Sequence, residues 1–157
     1  MRILMACLGN ICRSPIAEGI LKHKAEQHGL DWTVESAGTN SYHTGEAPHR
    51  FSQKVCRQHG IDISGQRART FTADDFGKYD KIYVLARDVY DNVQRIGGSD
   101  AAMNKVDYLL NELNPGSNES VTDPWYGNED GYQPVYDIIE QACNAIIRRY
   151  GYLKKNN

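Results

Sequence analysis

Short apolar runs alternate along the chain with longer segments in which apolar residues recur at helical spacing. The runs predict four β-strands, at residues 2–6, 32–36, 81–86 and 105–110. The segments predict four main helices, at about 15–27, 49–59, 88–95 and 133–150. Strands that alternate with helices typically form a parallel sheet with helices on both faces. The pattern therefore predicts an α/β, doubly wound domain built on a four-stranded sheet.

The remaining local signals concern one short helix, the fourth strand and the chain ends. Thr72 precedes an acidic turn and predicts a short capped helix over 72–76. The run at 105–110 is also compatible with a helical turn. At 157 residues, a single domain over 1–157 is expected, with 153–157 as a frayed tail.

The first strand runs directly into residues 7–15, Cys-Leu-Gly-Asn-Ile-Cys-Arg-Ser-Pro. Ser14 at the N-cap and Pro15 at the first helical position predict that a helix begins here. A loop between a strand and a helix N-terminus binds anions, because free N–H groups and the positive end of the helix dipole point into it. Arg13 adds a planar fork suited to bidentate phosphate binding. We therefore expect an oxyanion nest formed by Leu8, Gly9, Asn10, Ile11 and Cys12.

Cys7 lies at the carboxyl end of the first strand, where doubly wound sheets bind their ligands. The helix N-terminus and Arg13 both favour its thiolate form, which is the nucleophile. Ser14 can donate a hydrogen bond that stabilises the thiolate further. A sulfur nucleophile beside an oxyanion site predicts phosphoryl transfer through a cysteinyl-phosphate intermediate. A lone buried cysteine is usually inert, but the ordered run of cysteine, loop, arginine and serine favours catalysis.

Composition and charge argue against several classes of protein. The net charge of −2 gives no basic footprint, so no nucleic-acid partner is expected. No apolar run is long enough to cross a membrane, and the first strand begins too early to leave room for a signal peptide. The four cysteines form no metal-type CxxC pair. Neither a metal nor a cofactor is expected, because Arg13 and the backbone N–H groups can supply the positive charge. A reactive thiolate is best kept in a reducing compartment, which predicts a cytoplasmic location.

Residues 7–15 resemble, almost residue for residue, the signature of the low-molecular-weight protein tyrosine phosphatases, and the resemblance extends over essentially the whole chain. It implies a flavodoxin-like fold with strand order 2-1-3-4. It also implies a metal-independent phosphoric monoester hydrolase that acts on phosphotyrosine and aryl phosphates. The implied partners are phosphotyrosine-containing proteins, with inorganic phosphate and vanadate as ligands. By the same resemblance, the Asn10 side chain bonds back to the loop and shapes it.

A second catalytic element is expected in residues 122–127, Thr-Asp-Pro-Trp-Tyr-Gly. Hydrolysis of a phosphomonoester needs a general acid at the leaving oxygen, and Asp123 is the candidate. On its own this stretch is a weak signal, because Asp-Pro is common in turns. The resemblance assigns Asp123 as the acid, and Trp125 and Tyr126 suit a flat phenyl leaving group. It also places Tyr42, in the loop 37–47, on a wall of the site.

Three further features concern specificity and control. Ile11 stands where related protein-arginine phosphatases carry threonine, and so resembles the tyrosine-specific branch. Ser64 and Gly65 stand where many members carry a histidine, which puts one hydrogen bond to the loop in question. Cys12 is close enough to Cys7 in the sequence for a reversible disulfide that would shield Cys7 from over-oxidation. Redox regulation is therefore a hypothesis.

Three alternatives remain open. An arsenate reductase shares the fold and the cysteine-loop-arginine arrangement, but it needs a relay of further cysteines. Residues 85–88 at the end of the third strand carry none, and Cys56 and Cys143 are expected in the core. A non-catalytic phosphotyrosine-binding module would not need both Cys7 and Asp123. A dithiol redox protein built on Cys7 and Cys12 would leave Arg13 unexplained.

Overall fold

Four parallel strands form one sheet in the computed structural model, which describes residues 1–152. The strands are β1 (Arg2–Cys7), β2 (Thr33–Gly38), β3 (Lys81–Val84) and β4 (Val106–Tyr108). Their order across the sheet is β2-β1-β3-β4, and each neighbouring pair is parallel. The predicted fold class and strand order are confirmed. The predicted tail at 153–157 lies outside the described residues.

Six α-helices accompany the strands in the described part of the chain. They are α1 (Arg13–Gln27), α2 (Arg50–Arg57), α3 (Asp75–Lys78), α4 (Arg87–Gly97), α5 (Asp100–Met103) and α6 (Tyr132–Tyr150). The main predicted helices are present, and only the short α5, capped by Ser99, has no counterpart in the sequence prediction. Among residues 1–152, no helix is both long enough and apolar enough to cross a bilayer.

The side chains of β1 alternate between two apolar clusters. Ile3, Met5 and Cys7 face the cluster that packs α1, α2 and α6 onto the sheet. Leu4 and Ala6 face the cluster that packs α3 and α4 onto the other side. Both faces of β1 are therefore covered, which explains why the strand reads as a continuous apolar run.

Two predicted helix caps are wrong. Helix α1 begins at Arg13 after Cys12, without a side-chain cap, and the Ser14 hydroxyl bonds elsewhere. Helix α3 begins at Asp75 rather than after a capping Thr72. There the Asp75 carboxylate accepts the Thr72 backbone N–H at 2.9 Å. At α1 the Ser14 hydroxyl is taken by Cys7 and Asn10, so tertiary partners compete with the local cap for that side chain.

The third and fourth strands are shorter than predicted, because the chain leaves the sheet to build the site. Strand β3 ends at Val84, and the Leu85 carbonyl accepts the Val121 N–H at 2.7 Å. This bond brings the segment before Asp123 to the carboxyl edge of the sheet. Strand β4 continues as a 3₁₀ turn at Leu109–Glu112, which is the helical alternative foreseen for 105–110.

Candidate active site

The loop 8–12 connects β1 to α1 at the carboxyl edge of the sheet. Backbone bonds from the segment after β2 hold it in place. The N–H groups of Thr39 and Asn40 donate to the carbonyls of Cys7 and Leu8, each at 3.0 Å. The His49 N–H donates to the Ile11 carbonyl at 2.8 Å. The loop is thus a fixed cradle rather than a free connection.

A cavity of about 260 Å³ opens above this loop. It brings together the predicted loop residues Cys7, Leu8, Gly9, Ile11, Cys12 and Arg13 with the more distant Tyr42, Asp123, Trp125 and Tyr126. Asn40 and His43, from the loop 37–47, also line the cavity, although neither was predicted as a site residue. Two predicted residues, Asn10 and Ser14, lie beneath the cavity and are buried.

Cys7 forms the floor of the cavity and contacts Ser14 directly. Its Sγ lies 2.9 Å from the Ser14 Oγ, and both residues are buried. The Ser14 hydroxyl also accepts a bond from the Asn10 Nδ2 at 2.8 Å. A Cys7 thiolate has no proton to donate, so in that form the Ser14 hydroxyl is the donor of this bond. A hydrogen bond donated to sulfur favours the thiolate.

Asn10 ties the loop to its surroundings through backbone and side chain. Its φ of 60° lies in the left-handed region, which Asn tolerates better than most residues. Its Nδ2 donates to Ser14 and to Ser36, and its Oδ1 accepts the Arg69 N–H at 3.0 Å. The side chain thus satisfies three partners on three different segments.

The same network continues behind the loop to Glu18. The Ser36 hydroxyl donates to the Glu18 Oε1 at 2.7 Å, and Lys22 lies 3.3 Å from the Oε2. Burial raises the pKa of the Glu18 carboxyl, although Ser36 and Lys22 oppose the shift. Hydrogen bonds therefore run without a break from Glu18 through Ser36, Asn10 and Ser14 to Cys7. Sequence reasoning missed Ser36 and the role of Glu18.

Arg13 is buried and makes two contacts near the mouth of the cavity. Its Nη1 donates to the Val121 carbonyl at 2.9 Å, and its Nη2 lies 3.6 Å from the Asp123 Oδ2. The other oxygen of Asp123 accepts the Trp125 N–H at 3.0 Å. Asp123 thus caps the 3₁₀ turn Pro124–Tyr126. The Asp-Pro pair predicted a turn, and the structure has one at Pro124–Tyr126. The same turn places the Asp123 carboxylate beside the Arg13 guanidinium.

The rim of the cavity is aromatic. Tyr42 and Tyr126 are 87% and 83% exposed, and Trp125 is 47% exposed. His43 lies between Tyr42 and Trp125, with ring centroids 5.7 and 5.6 Å away. Its Nδ1 is 2.9 Å from a Glu46 carboxylate oxygen, which orients the ring. A planar group entering the cavity would pass between aromatic side chains.

The four cysteines are all free, and only two of them reach the cavity. Burial raises the pKa of Cys12 to about 11, against a hydrogen bond from the Tyr132 hydroxyl 3.5 Å away. Cys56 and Cys143 are fully buried in the main core cluster, as expected. Burial raises the pKa of both thiols.

The segment that lacks the histidine supports the loop in another way. Gln66 donates from Nε2 to the Pro15 carbonyl at 3.1 Å, and Arg69 bonds Asn10 through its backbone N–H.

Within residues 1–152, no group of three or more His, Cys, Asp or Glu side chains is arranged to hold a metal ion.

Comparison with known proteins yields one family. The model described as "Low molecular weight phosphotyrosine protein phosphatase" matches residues 2–157. The human protein of that name is 31% identical over 149 residues, which is 94% of each chain. The crystal structure of a protein tyrosine phosphatase from Entamoeba histolytica has 32% identity and a TM-score of 0.88, covering 99% of this chain and 98% of its own.

A second specificity is represented among the similar structures. That of a Drosophila arginine phosphatase has 28% identity and a TM-score of 0.88, and the match covers 96% of this chain and 98% of that one. On the match over residues 2–157, this chain belongs to the low molecular weight phosphotyrosine protein phosphatase family.

Proposed function

We propose that this protein hydrolyses phosphotyrosine in proteins, and small aryl phosphates, through a cysteinyl-phosphate intermediate. The observation that carries the proposal is the position of Cys7 on the floor of the cavity, 2.9 Å from Ser14, with Asp123 at the mouth. A nucleophile below and a carboxyl group above suit in-line displacement at phosphorus between them.

In the first step, the Cys7 thiolate attacks phosphorus, and the bond from phosphorus to the tyrosine oxygen breaks. Arg13 and the N–H groups of the loop 8–12 hold the equatorial oxygens, where negative charge is concentrated. Asp123 gives its proton to the departing tyrosine oxygen. Ser14 stabilises the thiolate before the attack.

In the second step, the Asp123 carboxylate takes a proton from a water molecule, which attacks the phosphorus of the thiophosphate. The sulfur–phosphorus bond breaks, inorganic phosphate leaves, and the Cys7 thiolate and the Asp123 acid are restored. Positive charge from Arg13 and the backbone is available for both steps, so the proposed cycle uses neither a metal nor a cofactor.

Selectivity for tyrosine over arginine is proposed on the chemistry of the walls. Ile11, Trp125, Tyr126 and Tyr42 line the cavity with apolar and aromatic surface. The apolar methyl groups of Ile11 favour a phenyl ring over a polar guanidinium, whose N–H groups they would leave without partners. The expected result is higher kcat/KM for a phosphotyrosine peptide than for its phosphoarginine counterpart, with the ratio reduced in Ile11→Thr.

Reversible oxidation is a second part of the proposal. Peroxide would oxidise the Cys7 thiolate to a sulfenic acid with release of hydroxide. The Cys12 thiol would then form a Cys7–Cys12 disulfide with release of water. Both thiols line the same cavity, which supports this route. We expect dithiothreitol to restore peroxide-treated wild type but not Cys12→Ser. A reactive thiolate also supports a cytoplasmic location.

The test is hydrolysis of p-nitrophenyl phosphate in the presence of EDTA. We expect turnover by the wild type, none by Cys7→Ser, and a loss of about 100-fold in Asp123→Ala. An inert wild type that still binds vanadate would support a phosphate-binding module instead. Reduction of arsenate by the wild type would support the reductase alternative, which the distance of Cys56 and Cys143 from the cavity disfavours.

A further inference from the structure

Trp125, in the turn that Asp123 caps, lies against two histidine rings. The ring of His43 is 5.6 Å away on one side. The ring of His49 is 5.5 Å away and meets the indole edge-on, at 79°. Asp123 accepts the backbone N–H of Trp125 in the same turn, so contacts that anchor the indole also anchor the turn that carries the carboxyl group. The position of the carboxyl group is therefore coupled to these rings.

His49 is the better placed of the two, because it is fixed on its other sides. Its Nδ1 accepts the Phe51 N–H at 3.1 Å and caps α2. Its ring stacks on Tyr132 with centroids 5.5 Å apart and an interplanar angle of 17°. Accepting at Nδ1 requires the neutral imidazole. Burial lowers the pKa of His49, and Arg50 lowers it further, so the neutral ring is favoured.

Tyr132 connects this ring to the phosphate-binding loop. Its hydroxyl lies 3.4 Å from the His49 Nδ1 and 3.5 Å from the Cys12 Sγ. The Tyr132 hydroxyl thus lies within hydrogen-bond distance of both the His49 ring and the Cys12 thiol. A single polar and aromatic path then joins Cys12, Tyr132, His49 and Trp125.

We propose that His49 is a positioning residue that, with Tyr132, sets the acid-bearing turn at its place above the loop 8–12. The inference rests on the proposed role of Asp123 as general acid and adds a cause for its placement. His49 is not among the residues that line the cavity. It acts through Trp125 on one side and through Tyr132 and Cys12 on the other.

The role predicts a specific kinetic signature. Protonation of the leaving oxygen matters most for a basic leaving group and little for a good one. Misplacing Asp123 should therefore slow phenyl phosphate much more than 2,4-dinitrophenyl phosphate. A general loss of structure would slow both alike, since Cys7 and Arg13 act on both substrates.

The test variant is His49→Asn, because Asn is among the best helix N-caps and can replace the bond to Phe51 while removing the ring. We expect kcat/KM for phenyl phosphate to fall about tenfold and that for 2,4-dinitrophenyl phosphate by less than about twofold. Tyr132→Phe keeps the stacked ring and removes the hydroxyl. It should shift the same ratio by about threefold.

His59→Asn is the matched control. His59 lies just beyond the other end of α2 and stacks on Tyr136 of α6, with centroids 4.1 Å apart and an angle of 13°. The variant removes an equivalent histidine–tyrosine stack on the same pair of helices, away from the cavity. We expect His59→Asn to leave the ratio of kcat/KM for phenyl phosphate to kcat/KM for 2,4-dinitrophenyl phosphate unchanged.

Asp123→Asn separates this inference from the proposed function. If Asp123→Asn depresses phenyl phosphate selectively and His49→Asn does not, the positioning role is wrong and the general acid stands. If neither variant does so, the general-acid role fails and the inference fails with it. In a Trp32→Phe background, Trp125 is the one remaining tryptophan. Its fluorescence anisotropy should fall in His49→Asn, and an unchanged anisotropy would also count against the positioning role.

Discussion

The Arg13 guanidinium and the Asp123 carboxylate lie 3.6 Å apart, measured from Nη2 to Oδ2. The pair joins the start of α1 to the turn that closes the cavity, across 110 positions of sequence. Arg13 is almost fully buried, and its Nη1 is held by the Val121 carbonyl. The residue that would bind phosphate therefore also faces the residue that would protonate the leaving group.

We predict that Arg13→Lys lowers kcat/KM for p-nitrophenyl phosphate by about 100-fold or more. A lysine ammonium keeps the charge but cannot reproduce the planar fork that reaches Val121 and the oxyanion together. Inhibition by inorganic phosphate and vanadate should weaken in parallel. Arg67→Lys is the control, because Arg67 is exposed and bonds only nearby backbone carbonyls. Equal kinetics in Arg13→Lys and Arg67→Lys would contradict the prediction.

Ser14→Ala should slow alkylation of the Cys7 sulfur. It deletes the hydroxyl 2.9 Å from the sulfur and leaves the Asn10 amide with one acceptor fewer. A hydrogen bond to a charged group corresponds to about a 10- to 100-fold effect. The measurement is the rate at which iodoacetamide alkylates Cys7 at pH 6, with phosphate protection to identify the site. Ser64→Ala, at an exposed position, should react like wild type. A fully reactive Ser14→Ala would show that the serine is not needed.

Cys7, Arg13 and the loop between them could be predicted from the sequence, because they lie in one contiguous stretch that ends where a helix begins. The sheet could also be predicted, because both faces of β1 are buried and its apolar run is therefore uninterrupted. The cap assigned to Ser14 was wrong because the hydroxyl has a stronger tertiary use beside Cys7. The sequence analysis assigned Ser14 two roles, a helix cap and a hydrogen bond to Cys7, and only the contact with Cys7 is present.

The residues that sequence reasoning missed are brought in by other segments. Ser36 and Gly38 belong to β2, and His43 follows it, yet all three meet the loop 8–12 or its supporting side chains. Ser36 and Glu18 look like ordinary polar positions in the sequence. The β1–β2 register, with Cys7 opposite Gly38, brings Ser36 to the site, and Glu18 joins it from α1 through the Ser36 hydroxyl.

Gly38→Ala should displace the loop 8–12. A Cβ at this position would lie 2.9 Å from the Leu8 oxygen and 3.0 Å from the Asn10 nitrogen, and both are backbone atoms that cannot rotate away. We predict at least a tenfold fall in kcat/KM with weaker phosphate inhibition, because the nest is distorted. Gly77→Ala is the control, since its Cβ would meet nothing within 4 Å. Wild-type kinetics in Gly38→Ala would mean that the loop tolerates the shift.

Glu18 gives the network behind Cys7 a pH-dependent stability. Burial raises its pKa in the folded protein above the value in the unfolded chain, despite Ser36 and Lys22. Between those two values the folded state binds more protons than the unfolded state, so stability falls as pH rises. The contribution is complete below the unfolded pKa and is lost once pH has passed the folded pKa.

Glu18→Gln removes this titration while keeping an oxygen that can accept from Ser36. We predict that the free energy of unfolding of Glu18→Gln, minus that of wild type, increases as pH rises from about 4 to about 7. Urea denaturation at several pH values measures the difference. Glu26→Gln, on the exposed side of α1, should give a difference that stays flat over the same range. A flat difference for Glu18→Gln, or one that decreases with pH, would show that the buried carboxyl titrates as in the unfolded chain or below it. The hydrogen bonds from Ser36 and Lys22 would then outweigh the effect of burial.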